Sequence, residues 1–385
     1  MDGREEARAV AAWGRSPRWR GVTRAPRTVL EALLLVLPLI GPAMVVAYLA
    51  RAYHPRPGWV DGHYYPDGGF LFDLHTMWHA GHDVVTGISP YPFIYPAPAV
   101  VLMAPFGALP WTLAVIAFSI TLIAGFFLAL RLLGVRDWRC YAAAFAAMPV
   151  ASSIMIGTLS PLLVLAAAAA WRYRDRRFVV ATAIAAAVVT KIFLWPLVVW
   201  LVATRRFRSA ATSVIIGIAL TIGSWGVIGF SGMLDYPHWL ARASGMYEYR
   251  SFSPLGLLEA LGLSRGSARF GVAILAVGAL AAIVATARGR DGDRRSFVVA
   301  LGTGLLLSPI VWLHYLVLVF VPIALYRRRF GAAWLVPFAY WLLPGQESGG
   351  SLANFAMMFG LTAAAVALGV WQRRERTPLP ALSTP

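Results

Sequence analysis

Apolar runs of bilayer length alternate with short arginine clusters along almost the whole chain. The clusters lie at Arg4 to Arg27, Arg131 to Arg139, Arg172 to Arg177, Arg205 to Arg208, Arg288 to Arg295, Arg327 to Arg329 and Arg373 to Arg376. A bilayer core about 30 Å thick needs about 20 helical residues to cross it. Arginine-rich connections stay on the cytoplasmic side. One topology places every cluster there. Residues 29–50 run outward, 111–133 inward, 139–156 outward and 160–173 inward; 209–228 run outward, 268–287 inward, 296–311 outward, 313–326 inward, 331–345 outward and 352–371 inward. This predicts an all-α polytopic membrane protein of about ten full spans, with both termini cytoplasmic.

Two stretches break the pattern. Residues 96–109 are apolar but interrupted by Pro96, Pro98 and Pro105, with Pro110 just beyond. This predicts a re-entrant or surface-lying segment within a long outside loop, 51–110. Residues 178–204 have arginines at both ends yet are too short for two crossings, with Lys191 and Pro196 in their middle. They read as two half-height helices that rise from the cytoplasmic side, meet inside the protein and return. Broken backbone at that depth is tolerated only within protein or beside a water-filled cavity.

The domain organisation follows: a basic cytoplasmic segment 1–28, one transmembrane domain 29–371 with its loaded outer loop 51–110, and a proline-containing tail 372–385 that reads as disordered. The apolar run 29–50 exceeds the 7–15 residues of a signal-peptide core and has no clean cleavage site, so it reads as a retained span.

Composition agrees. The chain of 385 residues is 59% hydrophobic and 13% charged, against about 25% charged in soluble domains. The net charge of +17 belongs to the topology-setting arginines, with no basic helix face or fold motif for nucleic acid. Cys140 is the only cysteine, which excludes an intrachain disulfide and a cysteine metal site. Arginine-heavy, alanine- and glycine-rich usage points to the plasma membrane of a high-GC bacterium.

Candidate chemistry concentrates at four places. Lys191 is the only lysine; at helix-centre depth it costs about 2.5–3.5 kcal/mol to insert. An anionic ligand such as a phosphate offsets that; the alternative is a structural pair with a buried carboxylate. The loop 51–110 holds five of the seven histidines, four aspartates and many aromatics, a composition suited to an interface facing a sugar or lipid head group. Asp73 opens a helix expected over 74–86, either as its cap or as a general base aimed into a cavity. His75, His79 and His82 share one face of that helix, reading as a wet interfacial face or, at lower weight, a divalent-metal site. His314 sits at the outer end of a span after the break at Pro309, as a core residue or a site residue. There is no Walker loop, nucleotide fingerprint or serine triad. Chemistry on the outer face without nucleotides calls for a donor carried in the bilayer, such as a lipid-linked phosphate.

Five segments carry a resemblance to glycosyltransferase family 87, the polyprenol-phosphate-mannose-dependent mannosyltransferases that include the mycobacterial phosphatidylinositol mannosyltransferases. FLFDLHTMW (70–78) resembles the family's Asp-Leu-His loop motif, and FIYPAPAVVLMAPFGALP (93–110) its Tyr-Pro-Pro segment. GTLSPLLVLAAAAAW (157–171) is similar to its Gly-Gln-x-Asn helix start, with Thr158 and Ser160 in place of the amides. VVTKIFLWPLVVWLVATRRFR (188–208) resembles its Lys-x-x-Pro hairpin, and SPIVWLHYLVLVFVP (308–322) its Ser-Pro-x-x-Trp-x-His motif, with Tyr315 where a second histidine is frequent. The Asn-Gln-Ser motif of the second outer loop appears as Ser251-Phe252-Ser253.

The resemblance implies a GT-C fold and transfer of a hexose, foremost mannose, from a polyprenyl phosphate to a lipid or glycan acceptor on the outer face, with inversion at C1. It implies Asp73 as base, with Lys191, His314, Arg250, His75, Tyr95 and Ser160 around the donor phosphate and sugar, and no metal or other cofactor. A lipid-linked-sugar flippase, which predicts matched repeats absent here, and an inactive homologue are the rival readings.

Overall fold

In the computed structural model the described residues are 29–36, 43, 58–60, 63–65, 71–247, 251–343 and 351–370. The basic segment 1–28, most of the expected first span, Arg250 and the tail 372–385 lie outside them.

Helix α1 (Val29–Val36) begins the first apolar run. Within the outer loop, strands β1 (Gly58–Val60) and β2 (His63–Tyr65) pair antiparallel with Trp59 opposite Tyr64. This one short pairing stands in an otherwise helical set of described elements, and its two strands flank an Asp-Gly step in the sequence, a dipeptide favoured between paired strands. Helix α2 (Phe72–Thr86) then packs on α3 (Ala97–Gly107), the proline-interrupted segment. The two helices touch backbone to backbone. A Cβ on Gly81 would lie 2.6 Å from the Met103 carbonyl oxygen, and one on Gly107 would overlap the backbone of Gly81 and His82.

Helices α4 (Trp111–Leu132), α5 (Trp138–Ala146), α6 (Met148–Ile156) and α7 (Ser160–Arg172) follow. The expected straight span 139–156 is instead α5 and α6, bent by 61°. The bend has a local cause. Ala147 is extended (ψ 142°) and Pro149, at the start of α6, lacks the N–H that a continuous helix would need.

The 178–204 stretch is broken at Lys191. Helix α8 (Arg177–Thr190) ends there; Lys191 is extended, a 3₁₀ turn spans Ile192–Leu194, and α9 (Pro196–Ala203) continues. Pro196 at the first helical position is compatible with a new start and incompatible with continuation. Both ends of this stretch meet. Helix α10 (Phe207–Val227) lies against α8, and Arg177 Nε donates to Thr212 at 2.8 Å. Arg206 bonds Asp175 at 3.0 Å and Asp293 at 2.8 Å, and Arg174 bonds Asp293 at 2.9 Å. Trp200 Nε1 donates to the same Asp293 carboxylate. The stretch is therefore a hairpin with its base closed by one ionic cluster and Lys191 at its tip.

The second outer loop, expected as loop, contains helices α11 (Tyr236–Tyr247) and α12 (Pro254–Ala260), the latter capped by Ser253 accepting from the Gly256 N–H. Helices α13 (Arg265–Thr286) and α14 (Gly292–Leu307) come next. After the Ser308–Pro309 break come a 3₁₀ segment Leu313–Val319 and α15 (Phe320–Tyr326). Helix α16 (Ala332–Leu335), a further 3₁₀ segment Val336–Leu342 and α17 (Leu352–Val370) complete the chain.

Among the described residues, α4, α10 and α13 are long and apolar enough to cross a membrane, and the bent α5–α6 pair makes a fourth candidate span. Several other expected spans are shorter apolar helices; those at 313–326 and 331–345 are partly 3₁₀, the first after the break at Pro309 and the second with Pro337 at the start of its 3₁₀ segment. The core sits between these elements: Phe126 meets Phe145 and Phe320, and Trp200 meets Phe297 edge to face. The outer faces remain apolar, with Phe270 and Val277 of α13 each 70% exposed. Such a surface is unfavourable in water and at home in lipid, so this is a multi-pass membrane protein.

Candidate active site

Asp73 stands in the first turn of α2, and the structure fixes that turn from both sides. Leu71, the N-cap residue, is left-handed (φ 54°), and its N–H donates to Met155 O of α6 at 2.8 Å. Gly157, itself at φ +75°, packs against Leu74. Leu71 and Leu74 are fully buried. The helix starts at Phe72, so the cap role goes to Leu71 and leaves the Asp73 carboxylate available. The N-terminal end of α2 favours its negative charge.

Its partner is Tyr95, from the Tyr-Pro segment leading into α3. The Tyr95 hydroxyl donates to Asp73 Oδ2 at 3.0 Å, and the Tyr95 carbonyl accepts from the Tyr91 hydroxyl at 2.9 Å. Burial pushes the Asp73 pKa up, while the nearby positive charge of Lys191 and the Tyr95 hydrogen bond pull against it; the net direction is upward. Burial and the adjacent Asp73 charge push the Tyr95 phenol well above its ordinary value, so it remains a donor.

Lys191 reaches the same place from the tip of the hairpin. It is buried. Its ammonium lies 4.0 Å from the centre of the Tyr315 ring and 5.4 Å from that of Tyr95. Among the described residues no carboxylate comes within 4.0 Å of it in an ion pair. Tyr95 thus contacts Asp73 through its hydroxyl and Lys191 through its ring. His314, also buried, packs edge on against Tyr315 at 4.8 Å, and its backbone oxygen accepts from Ser153 Oγ at 3.4 Å.

The other expected residues are placed differently. Ser160, at the start of α7, is buried and engaged with its neighbour: Thr158 Oγ1 donates to Ser160 Oγ at 2.9 Å and accepts from the Ser160 N–H at 3.1 Å. His75 lies against Trp111 (5.1 Å) and His79 (4.5 Å). His82 stacks on Trp78 and its Nδ1 is 3.0 Å from Gly107 O. This histidine face is interleaved with tryptophan, and among the described residues no group of three metal-ligating side chains is gathered. Arg250 lies outside the described residues. Sequence reasoning did not single out Tyr315 as a contact of Lys191. Its only signal was position, next to His314 in a broken helix.

An apolar groove of about 470 Å³ runs between α8, α9 and α10. Val188, Val189 and Trp195 line it close to the hairpin tip, and Ser213, Ile218 and Ile222 on the α10 side.

The match to the family model described as Glycosyltransferase family 87 covers residues 93–309, more than half of the chain. The chain belongs to glycosyltransferase family 87. The matched window takes in Tyr95 and Lys191; Asp73 and His314 fall just outside its ends. A Mycobacterium tuberculosis (strain CDC 1551 / Oshkosh) protein, the polyprenol-phosphate-mannose-dependent alpha-(1-2)-phosphatidylinositol pentamannoside mannosyltransferase, is 29% identical over 347 residues, 85% of this chain and 75% of that protein. The protein of the same name from Mycolicibacterium smegmatis (strain ATCC 700084 / mc(2)155) is 28% identical over 354 residues, 85% of this chain and 80% of that one. No solved structure matches. A family 87 member is a glycosyltransferase, so the site is read below as a sugar-transfer centre.

Proposed function

We propose that this chain transfers mannose from a polyprenyl-phosphate mannose to a lipid acceptor of the phosphatidylinositol-mannoside kind, at the extracytoplasmic face of a bacterial plasma membrane and within a GT-C fold. The observation that carries the reading is the convergence of an acid and a cation on Tyr95: Asp73 at 3.0 Å from its hydroxyl and Lys191 at 5.4 Å from its ring. The names of the two relatives supply donor and acceptor class.

In this reading Asp73 accepts the proton of the acceptor hydroxyl as its oxygen attacks C1 of the sugar. The bond from C1 to the phosphate oxygen breaks, the configuration at C1 inverts, and polyprenyl phosphate leaves as a phosphate monoester. That leaving group needs charge stabilisation rather than a proton, and Lys191 supplies it in a water-poor setting where a fixed charge acts strongly. By resemblance to the family, His314 and Arg250 are assigned to the same phosphate and sugar, together with His75 and Ser160. The groove between α8, α9 and α10 suits the prenyl chain, because its lining is apolar and includes Val188, Val189 and Trp195 on either side of Lys191 in the chain. The arginines at the hairpin base support a cytoplasmic position for that end, and hence an outer position for Asp73.

Transfer from radiolabelled polyprenyl-phosphate mannose into membrane lipid, compared between wild type and Asp73→Asn, tests the reading. Label in the lipid fraction that disappears in the variant at equal protein level is expected. Failure of well-folded wild type across a panel of mannoside acceptors would overturn the assignment.

A further inference from the structure

Among the described residues no carboxylate makes ion-pair contact with buried Lys191, so part of the cost of burying it is met in another way. The Lys191 ammonium lies over the Tyr315 ring at 4.0 Å. The face of an aromatic ring attracts a cation through its quadrupole, most strongly where water is excluded. It does so without neutralising the charge and without accepting a strong hydrogen bond from the ammonium, so the N–H donors stay available to an anion. A carboxylate at the same place would compete with a phosphate for the same donors.

The ring is itself held. Phe193, two residues beyond Lys191 in the 3₁₀ turn, stacks on Tyr315 at 5.1 Å with planes 15° apart. His314 closes another edge at 4.8 Å. The Tyr315 N–H bonds to Trp312 O at 2.9 Å, which anchors the backbone after the Pro309 break. The hairpin tip and the 308–319 segment are therefore joined by one Phe–Tyr–Lys stack.

We propose that Tyr315 is a positioning residue: its ring face, not its hydroxyl, holds the Lys191 ammonium in place and aimed at the donor phosphate. The proposal rests on the reading of Lys191 as the phosphate-binding cation.

The test uses the full chain in lipid nanodiscs with farnesyl phosphate as the probe and farnesol as the phosphate-free control. Tyr315→Phe keeps the ring and binds farnesyl phosphate as wild type does. Tyr315→Leu and the longer, unbranched Tyr315→Met lose the ring and bind it about tenfold to thirtyfold more weakly, the fold-change that a desolvated cation–ring contact is worth. Farnesol binding is unchanged in all. In the Lys191→Gln background Tyr315→Leu adds nothing further, because the ring acts through the lysine. In transfer assays the Tyr315→Leu donor KM rises while the acceptor KM stays put, and Phe restores it. An equal loss in Tyr315→Phe, or an additive loss on top of Lys191→Gln, would overturn the proposal. So would wild-type affinity in both Leu and Met variants while Lys191→Gln still fails; that pattern leaves the phosphate reading standing. Binding that ignores Lys191 altogether would sink both.

Discussion

The Tyr95 hydroxyl and the Asp73 carboxylate are joined by a 3.0 Å hydrogen bond that spans two elements, the start of α2 and the segment entering α3. The bond favours the ionised form of an acid whose pKa burial pushes up. A general base works only when ionised, so Tyr95→Phe raises the Asp73 pKa further. The acid limb of the pH profile for transfer then moves to higher pH, and activity near neutrality falls roughly tenfold. A pH–rate series on wild type and variant checks this; coincident acid limbs would separate Tyr95 from the titration of Asp73.

Asp73→Asn has opposite effects on activity and stability. Loss of the base costs about 10²–10⁴-fold in transfer. The folded-state pKa of Asp73 is raised, so its favourable contribution is fully present below the unfolded-state value and is lost as pH rises through the folded-state value. At neutral pH the neutral amide removes that penalty, and the variant melts at or above the wild-type temperature. The difference narrows at acidic pH. Thermal unfolding at both pH values decides it, and a variant markedly less stable at neutral pH would contradict this account.

Asp293 ties the hairpin base to α14 through Arg174, Arg206 and Trp200. The carboxylate is about one-third exposed, so solvent screening moderates its worth. Asp293→Ala is expected to cost about 1–2 kcal/mol in stability. It also frees the arm that carries Lys191, so the donor KM rises more than the acceptor KM. Steady-state kinetics with both substrates varied read this out.

Gly107→Ala forces a methyl into the backbone of Gly81 and His82. The α2–α3 contact must open, at about 1–3 kcal/mol, and the register of Asp73 against Tyr95 opens with it. Lower melting temperature together with lower transfer is expected. Gly278→Ala is the control: nothing lies within 4 Å of its added carbon, and α13 should tolerate it.

Much of the architecture was legible because it rests on local physics. Arginine spacing against apolar length gave the membrane class, and the pairing of Lys191 with Pro196 between two arginine clusters gave a broken hairpin. What stayed hidden were features that hydropathy does not report. The bend at Ala147 follows from Pro149, and the helix 254–260 from its Ser253 cap and Pro254 start, while apolar run length shows neither them nor the helix 236–247.

For the site, residue chemistry alone singled out Asp73, Lys191 and His314, since a rare charge or imidazole in apolar sequence must be explained. The resemblance to the family's Tyr-Pro segment added Tyr95. That Tyr95 bonds Asp73, and that the Tyr315 ring seats the Lys191 ammonium, was decided only by tertiary structure. The reason is physical: sequence periodicity reports which face of an element is apolar, whereas a hydrogen bond or a cation over a ring depends on how three distant elements dock, and docking is fixed by close approaches such as Gly81 against α3 that no single segment encodes.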